Sequence, residues 1–135
     1  MRGAQTAVVV TPVKGTWHGP ERHLEQHWRW SAGKSELRLT NTAGVPVQVA
    51  LRGRANAVEG ERRVRIAVGE RLLWGEVLSG RAPVAFSCGL TLPPGETVVT
   101  FSTDRPAQRV GTDPRDLAFQ ISNLEIVVTP PGVRP

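Results

Sequence analysis

A strict alternation of apolar with small or polar residues over residues 84–92 limits the fold of this chain more than any other feature. The apolar positions are Val84, Phe86, Cys88, Leu90 and Leu92. A period of two is typical of a β-strand that buries one face. Pro93-Pro94-Gly95 ends this strand, and the chain returns over residues 97–103 with Val99 and Phe101 on one face. We expect a long antiparallel hairpin at the core of an all-β domain.

Similar alternation recurs from a first strand over residues 6–13 to a last strand that ends at Val128. Residues 14–26 form a connector without this pattern, and a change of phase at Ser122-Asn123 predicts a β-bulge in the last strand. No segment has the pattern of an amphipathic helix. The sequence therefore predicts a two-sheet antiparallel β-sandwich of the jelly-roll type with eight or nine strands. Its predicted core includes Ile66, Phe86, Leu90, Val99 and Phe101.

The length and composition of the chain narrow its class and its partners. The 135 residues suit one domain, which we expect over residues 1–128, with an extended or disordered tail over residues 129–135. The net charge of +5 is spread along the chain and is not interleaved with aromatic residues, so no nucleic-acid partner is expected. No apolar run approaches the ~20 residues of a membrane-spanning helix, so no transmembrane segment is expected. The single cysteine, Cys88, excludes an intrachain disulfide and leaves the compartment undetermined.

The three histidines, His18, His23 and His27, lie in or next to the connector. His23 and His27 are four residues apart, a spacing that places ligands on one face of a helix in zinc sites. The segment lacks the second-position glutamate of the H-E-x-x-H motif, and no further ligand stands at a suitable spacing. The sequence also contains no nucleophile elbow and no supported pair of catalytic carboxylates. We therefore expect no metal, no cofactor and no enzymatic activity.

The densest group of charged residues lies in a loop over residues 104–116, which is rich in proline, glycine, aspartate and arginine. Six residues are candidates for a polar ligand site at this rim of the sandwich: Asp104, Arg105, Asp113 and Arg115, joined by Glu21 and Asn123. Arginine forks bind sugar hydroxyls, carboxylates or phosphates in pairs. The alternative is that these residues pair with one another and hold the loop against the sandwich.

The four tryptophans are candidates for a sugar-stacking surface, because an exposed indole offers a flat apolar face. Trp17 and Trp74 are the better candidates for exposure and for ligand contact. Trp28 and Trp30 share a parity, which places both in the core if their strand is an inner one. The alternative is that all four tryptophans are core residues.

Two successive strands place four arginines at outward positions, namely Arg52, Arg54, Arg63 and Arg65. If these strands pair, the arginines form a basic face that suits an acidic polysaccharide, a phospholipid surface or an acidic partner domain. The alternative is an ordinary charged face, because Glu59, Glu61 and Glu70 are interspersed among the arginines.

Several short segments occur here in the order and spacing of a class of β-sandwich domains. They are Thr16-Trp17-His18-Gly19-Pro20-Glu21, Trp28-Arg29-Trp30, Leu92-Pro93-Pro94-Gly95-Glu96, Asp104-Arg105-Pro106, Gly111-Thr112-Asp113-Pro114-Arg115-Asp116-Leu117 and Ser122-Asn123-Leu124. Over residues 17–128 the chain resembles accessory modules of bacterial glycosyltransferases and cell-surface polysaccharide proteins, which are similar in build to galactose-binding-like jelly rolls. Thr16 stands where that class has glycine.

This resemblance implies a fold and an association with glycans, and it implies no reaction. The expected partners are a glycan or an anionic polysaccharide and a fused or associated glycosyltransferase. The predicted function is a non-catalytic, glycan-associated or carbohydrate-binding-like domain. The alternative is a structural module that docks to a partner enzyme or to a membrane glycosyltransferase.

Overall fold

The computed structural model describes residues 8–129, which form ten β-strands and no helix. The strands are β1 (Val8–Pro12), β2 (Glu21–His23), β3 (Gln26–Ser31), β4 (Lys34–Asn41), β5 (Val47–Ala57), β6 (Glu61–Val68), β7 (Arg71–Ser79), β8 (Val84–Leu92), β9 (Gly95–Thr103) and β10 (Phe119–Thr129). Within residues 8–129 there is accordingly no helix that is long and apolar enough to cross a membrane. The expected tail lies outside the described residues except for Thr129, and the first two residues of the expected first strand also lie outside them.

The strands form two five-stranded antiparallel sheets. Sheet I has the order β1-β4-β9-β6-β7, and sheet II has the order β2-β3-β10-β5-β8. This arrangement confirms the predicted two-sheet antiparallel β-sandwich, with ten strands rather than eight or nine. The short β2 lies in the segment that was expected to be a connector, because three residues are too few to show an alternating pattern.

The core lies between the two sheets and is built from the inward positions of both. Its fully buried side chains include Phe101, Phe119, Leu39, Leu51, Ile66 and Leu78. All five residues that the sequence placed in the core, including Phe86 and Leu90, are buried. The alternation therefore identified correctly which face of each of these strands is covered.

The predicted hairpin of residues 84–101 is wrong, because its two strands belong to different sheets. β8 pairs with β5 in sheet II, whereas β9 pairs with β4 and β6 in sheet I. Pro93 and Pro94 lie between them, and neither has an N–H group with which to continue a ladder. The apolar faces of β8 and β9 consequently meet across the core. Alternation shows which face of a strand is buried, but it does not show which strand lies beside it.

The predicted bulge at Ser122-Asn123 is confirmed. The register between β10 and β5 shifts between Ser122 and Glu125, and Asn123 has a φ of 51°. A left-handed backbone is tolerated better by asparagine than by most residues. The bulge reverses the phase of the strand, so Leu124 and Ile126 pack against the core after it as Ile121 does before it.

The predicted basic face does not form, because β5 and β6 do not pair. Arg52 and Arg54 lie on β5 in sheet II, whereas Arg63 and Arg65 lie on β6 in sheet I. β6 pairs instead with β7 and β9. Strands that follow each other in the sequence are neighbours only when the chain makes a hairpin, and here the chain crosses from one sheet to the other.

Candidate functional site

The outer face of sheet II contains a polar hollow of about 290 Å³. We define the polar hollow by its lining residues, which are one tryptophan, four amide residues, two arginines, a proline and a serine: Trp28, Gln26, Asn56, Gln120, Asn123, Arg54, Arg81, Pro83 and Ser122. Most of these residues come from the neighbouring strands β3, β10 and β5. The hollow thus combines a flat apolar ring with many hydrogen-bonding groups.

The pairing of three strands explains why these side chains meet. In β10, Phe119 and Ile121 are buried in the core, so the alternate residues Gln120 and Ser122 point outward. Residues that are directly opposite in antiparallel strands share a face of the sheet. Two rows of outward residues therefore cross the strands: Trp28, Ser122 and Arg54 form one row, and Trp30, Gln120 and Asn56 form the next.

Trp28 and Trp30 share a face, as their parity indicated, but it is the outer face of sheet II and not the core between the sheets. Trp30 is nevertheless buried, because Val58 and Leu117 pack against it and the guanidinium carbon of Arg81 lies 5.6 Å from its ring centroid. Trp28 is only half-buried and lines the hollow. The prediction that both belong to the central core is therefore wrong. Trp30 is buried in a small second cluster with Val58 and Leu117, and Trp28 is partly accessible to solvent.

Most polar groups of the hollow are free to bind a ligand. In the described part of the chain the guanidinium of Arg54 makes no hydrogen bond and no ion pair, and that of Arg81 uses only its Nε, which donates to the carbonyl of Val58 at 3.2 Å. Asn123 accepts a hydrogen bond from the backbone N–H of His27 at 3.1 Å through Oδ1, which leaves its amide nitrogen available. The hollow therefore presents several unused donors on one side of the sheet.

A second charged site, the rim cluster, consists of Glu21, Asp113 and Arg115. The guanidinium of Arg115 donates to Asp113 Oδ2 at 2.9 Å and to Glu21 Oε2 at 3.0 Å. Hydrogen bonds from the side chain and then from the backbone of Arg115 lower the pKa of Asp113 to about 2, and the same carboxylate is the main reason that the pKa of Arg115 is raised. The cluster joins the loop of residues 104–117 to β2.

Asp104 and Arg105 do not belong to the rim cluster by any hydrogen bond in the described residues. Asp104 Oδ1 accepts from the backbone N–H of Arg63 at 2.9 Å, and this bond is the main cause of its lowered pKa. The backbone carbonyl of Arg105 accepts from Arg62 Nη1 at 3.2 Å. The six rim candidates are therefore split: three form the rim cluster, two lie near β6, and Asn123 lies in the polar hollow.

Arg62 on β6 holds the loop of residues 104–117 in place, a role that the sequence interpretation missed. It is buried, with 2% of its surface exposed, and it donates to the carbonyls of Arg105 and Pro106 and to Gln108 Oε1 at 3.2–3.3 Å. Burial is the main cause of its lowered pKa. A signal was present, since Arg62 shares the parity of the core residues Val64 and Ile66. An arginine at an inward position indicates a cation that has internal acceptors.

Trp17 and Trp74 are half-buried, as Trp28 is, and both pack against the central core. The indole N–H of Trp17 donates to the carbonyl of Glu36 at 2.9 Å, and its ring meets Phe101 edge-on at 5.3 Å. The Trp74 ring lies 5.4 Å from that of Phe86, between the edges of the two sheets. Neither residue lines the polar hollow.

The histidines lie apart from any set of metal ligands. His23 ends β2 and His27 lies in β3, so they are part of a hairpin and not of a helix. The Nε2 of His18 lies 2.8 Å from the carbonyl oxygen of Asp116. This contact joins the connector to the loop of residues 104–117. Among residues 8–129, no group of three or more histidine, cysteine, aspartate or glutamate side chains has the geometry to hold a metal ion.

Of the eight predicted ligand residues, only Asn123 lines the polar hollow. The hollow residues that were not predicted as ligands include Trp28, Gln26, Asn56, Arg81, Gln120 and Ser122. Gln120 and Ser122 did carry a signal, because they are polar and alternate with the buried Phe119 and Ile121. Their meeting with Trp28 and Arg54 depends on which strands are neighbours.

Of the comparisons with known proteins, the one with solved structures finds a similar fold. No family model and no curated protein matches the chain. The chain is similar to part of a Podospora anserina GH26-CBM35 β-(1,4)-mannanase, with a TM-score of 0.51 and 12% identity over 96% of this chain and 29% of that one. It is also similar to the CBM36-1 domain of a multidomain xylanase from the hindgut metagenome of Trinervitermes trinervoides, with a TM-score of 0.44 and 13% identity over 93% of this chain and 99% of that one. A third similar structure is the C-terminal CBM6 of a laminarinase from Zobellia galactanivorans, with a TM-score of 0.46 and 11% identity over 90% of this chain and 98% of that one.

The chain thus resembles carbohydrate-binding-module β-sandwiches. Of the three likenesses, the one to the mannanase has a TM-score above 0.5, and at 12% identity it shows a common fold and nothing finer. The chain spans 29% of the length of that mannanase.

Proposed function

We propose that this domain is a non-catalytic carbohydrate-binding module and that it binds a glycan in the polar hollow. The observation that carries the proposal is the position of Trp28, whose accessible indole stands beside the side chains of Gln26, Gln120, Asn123 and Arg54. The β-sandwich fold, which the chain shares with structures that contain carbohydrate-binding modules, supports the proposal but does not locate the site.

The chemistry of a sugar matches the composition of the hollow. A pyranose ring has an apolar face of C–H groups, which packs on an indole, and a rim of hydroxyl groups, which need donors and acceptors. Gln26, Gln120 and Asn123 offer both donors and acceptors, and the arginine Arg54 adds donors in a planar fork. An apolar platform with a few polar groups around it is the usual composition of a small-ligand site.

The hollow is suited to binding and not to glycoside hydrolysis. Hydrolysis at a glycosidic bond ordinarily uses two carboxylic acids that flank the bond. The described residues that line the hollow include no aspartate and no glutamate. We therefore assign the hollow a binding role, with Trp28 as the platform.

We assign the other predicted ligand residues a structural role within this proposal. Trp17 and Trp74 fill the core and its edges, and Glu21, Asp113 and Arg115 hold the loop of residues 104–117. The remaining two, Asp104 and Arg105, join that loop to β6. Asn123 keeps its proposed role as a ligand residue.

We also propose that the domain serves an enzyme that acts on the same glycan. The resemblance noted in the sequence favours a glycosyltransferase as that enzyme, whether fused or associated. The structurally similar modules are named as parts of a mannanase, a xylanase and a laminarinase. A role as a docking module has less support, because exposed apolar residues such as Val9 and Val98 are directly opposite the polar residues Thr40 and Arg38 on sheet I.

A glycan array followed by titration of the strongest hit tests the proposal. Trp28→Ala should weaken binding of that glycan by about tenfold or more, because it removes the stacking platform. The matched control is Leu72→Ala, since Leu72 is an exposed apolar residue on the outer face of the other sheet. Equal loss in both variants, or no loss in Trp28→Ala, would contradict the proposed site, and an array without any glycan hit would contradict the function itself.

A further inference from the structure

We infer that the polar hollow selects glycans that carry carboxylate groups, with Arg54 and Arg81 as the residues that recognise the acid. This inference rests on the proposed function and adds the class of ligand. It starts from the charge of the hollow, whose lining contains two arginines and, among the described residues, no carboxylate. Two cations without a carboxylate beside them favour a ligand that carries negative charge, because a hydrogen bond between ionised groups is stronger than one to a neutral hydroxyl.

The two arginines of the polar hollow differ from Arg115 and Arg62 in the groups that their guanidinium nitrogens contact. Arg115 donates to two carboxylates, and the buried Arg62 donates to three oxygen atoms of the rim loop. The guanidinium of Arg54 makes no hydrogen bond or ion pair within residues 8–129. An arginine fork that has no internal acceptor can bind a carboxylate with two parallel hydrogen bonds.

Arg81 is held in place and still keeps its terminal nitrogens available. Its Nε donates to the carbonyl of Val58 at 3.2 Å, and its guanidinium lies over the ring of Trp30 at 5.6 Å. A guanidinium within about 6 Å of an indole centroid is attracted to the ring. These contacts fix the plane of the fork before a ligand arrives, which lowers the entropy lost on binding. Within the described residues its Nη1 and Nη2 donate to no protein acceptor.

An anion bound in the hollow would neutralise two arginine charges that have no carboxylate partner among the described residues. Bound hydroxyl groups cannot do so. A glycan with a uronic acid would therefore gain more from this hollow than the same glycan with a neutral group. Trp28 and the amide residues would hold the sugar ring in either case.

The experiment compares matched acidic and neutral polymers. The probes are polygalacturonate, hyaluronan and alginate, each beside its carboxyl-reduced form, in which a hydroxymethyl group replaces the carboxylate. At least one acidic polymer should bind about tenfold more tightly than its reduced form at moderate salt. Dextran sulfate, which is charged but has no carboxylate, is included to measure attraction that depends on charge alone.

Two variants and one control test whether Arg54 and Arg81 are the residues that cause the preference for acidic polymers. Arg54→Gln and Arg81→Gln should each reduce affinity for the acidic polymer toward that for its reduced form. Arg52→Gln is the control, because Arg52 lies two residues from Arg54 on the same face of β5 but does not line the hollow. Arg54→Gln removes no side-chain hydrogen bond and no ion pair within the described residues, and a melting curve of the variant shows whether it stays folded.

The outcomes separate this inference from the proposed function. If acidic and reduced forms bind equally and Trp28→Ala weakens both, the inference is wrong and the proposed site stands. If Trp28→Ala weakens neither, the proposed site is wrong. Dextran sulfate binding as tightly as the uronates, or no binding of any acidic polymer, would also overturn the inference.

Discussion

The loop of residues 104–117 and the polar hollow are both lined by arginines, but these arginines contact different groups. At the loop, Arg115 donates to carboxylates and Arg62 on β6 donates to carbonyls of the protein itself. In the hollow, Arg54 and the terminal nitrogens of Arg81 have no such acceptors in the described residues. A dense cluster of charged residues therefore indicates a structural role when its members form ion pairs or hydrogen bonds with one another. Unused donors beside an accessible aromatic ring are the better indication of a binding site.

Removal of a core side chain should give the largest loss of unfolding free energy, with which the changes in the loop and in the hollow can be compared. Phe101→Ala should lower the free energy of unfolding by ~3–5 kcal/mol, because Phe101 is fully buried and packs against Trp17. Chemical denaturation measures this change. Val98→Ala, at an exposed position of the same strand, is the control. A cost below ~1 kcal/mol for Phe101→Ala would show that the register of β9 is wrong.

Arg62→Met tests whether the charged residue that holds the loop of residues 104–117 has a structural role. The substitution leaves the carbonyls of Arg105 and Pro106 without their donor, so we expect a loss of ~1–3 kcal/mol of unfolding free energy. Glycan affinity should not change in the variant that remains folded. Arg63→Met, at the neighbouring exposed position, is the control. Loss of affinity without loss of stability in Arg62→Met would place ligand binding at the loop.

Asp113→Asn tests the rim cluster through its pH dependence. The pKa of Asp113 in the folded protein is about 2, below the ~3.9 of an unperturbed aspartate, so its ion pair stabilises the fold above about pH 4 and ceases to do so as the pH falls toward 2. The variant should melt a few degrees below the wild type at pH 7, and the two curves should converge near pH 2. Asp116→Asn, which alters an exposed pair with Arg109, is the control. A difference in melting temperature that persists at pH 2 would contradict this explanation.

Arg54→Gln should have the smallest effect on stability of these four changes. The side chain of Arg54 is exposed and makes no internal hydrogen bond, so its replacement should alter the free energy of unfolding by less than ~0.5 kcal/mol. Thermal and chemical denaturation of the variant beside the wild type check this value. A larger loss would mean that the hollow, like the loop, holds the fold together, and the contrast between the two regions would fail.

The alternation of residues was sufficient to predict the class of fold and the core. It identified the buried faces of β8 and β9 and the bulge at Ser122-Asn123. It could not identify β8 and β9 as members of different sheets, because the pattern within a strand is the same whichever strand lies beside it. For the same reason the expected basic face was wrong.

The site was harder to predict than the fold, because its residues come from strands that are distant in the sequence. Trp28 was placed in the core with Trp30 because the two share a parity on an expected inner strand, yet it is Arg29 that pairs with the core residue Ile121. β3 lies next to the short edge strand β2, so Arg29 reaches past the edge to the carbonyl of His18. The rim residues were selected because they are close in sequence, and such closeness favours pairing among themselves.

The most direct test of the central claim is nuclear magnetic resonance of the four indole N–H groups during titration with the strongest glycan ligand. Trp17 and Trp74 pack against the central core, and Trp30 is buried under the guanidinium of Arg81. Trp28, in contrast, lines the polar hollow. Each signal is assigned by a single Trp→Phe substitution. We expect the Trp28 signal to shift most, with smaller changes at Trp30 beneath Arg81. A shift confined to Trp17 or Trp74 would contradict binding on the outer face of sheet II.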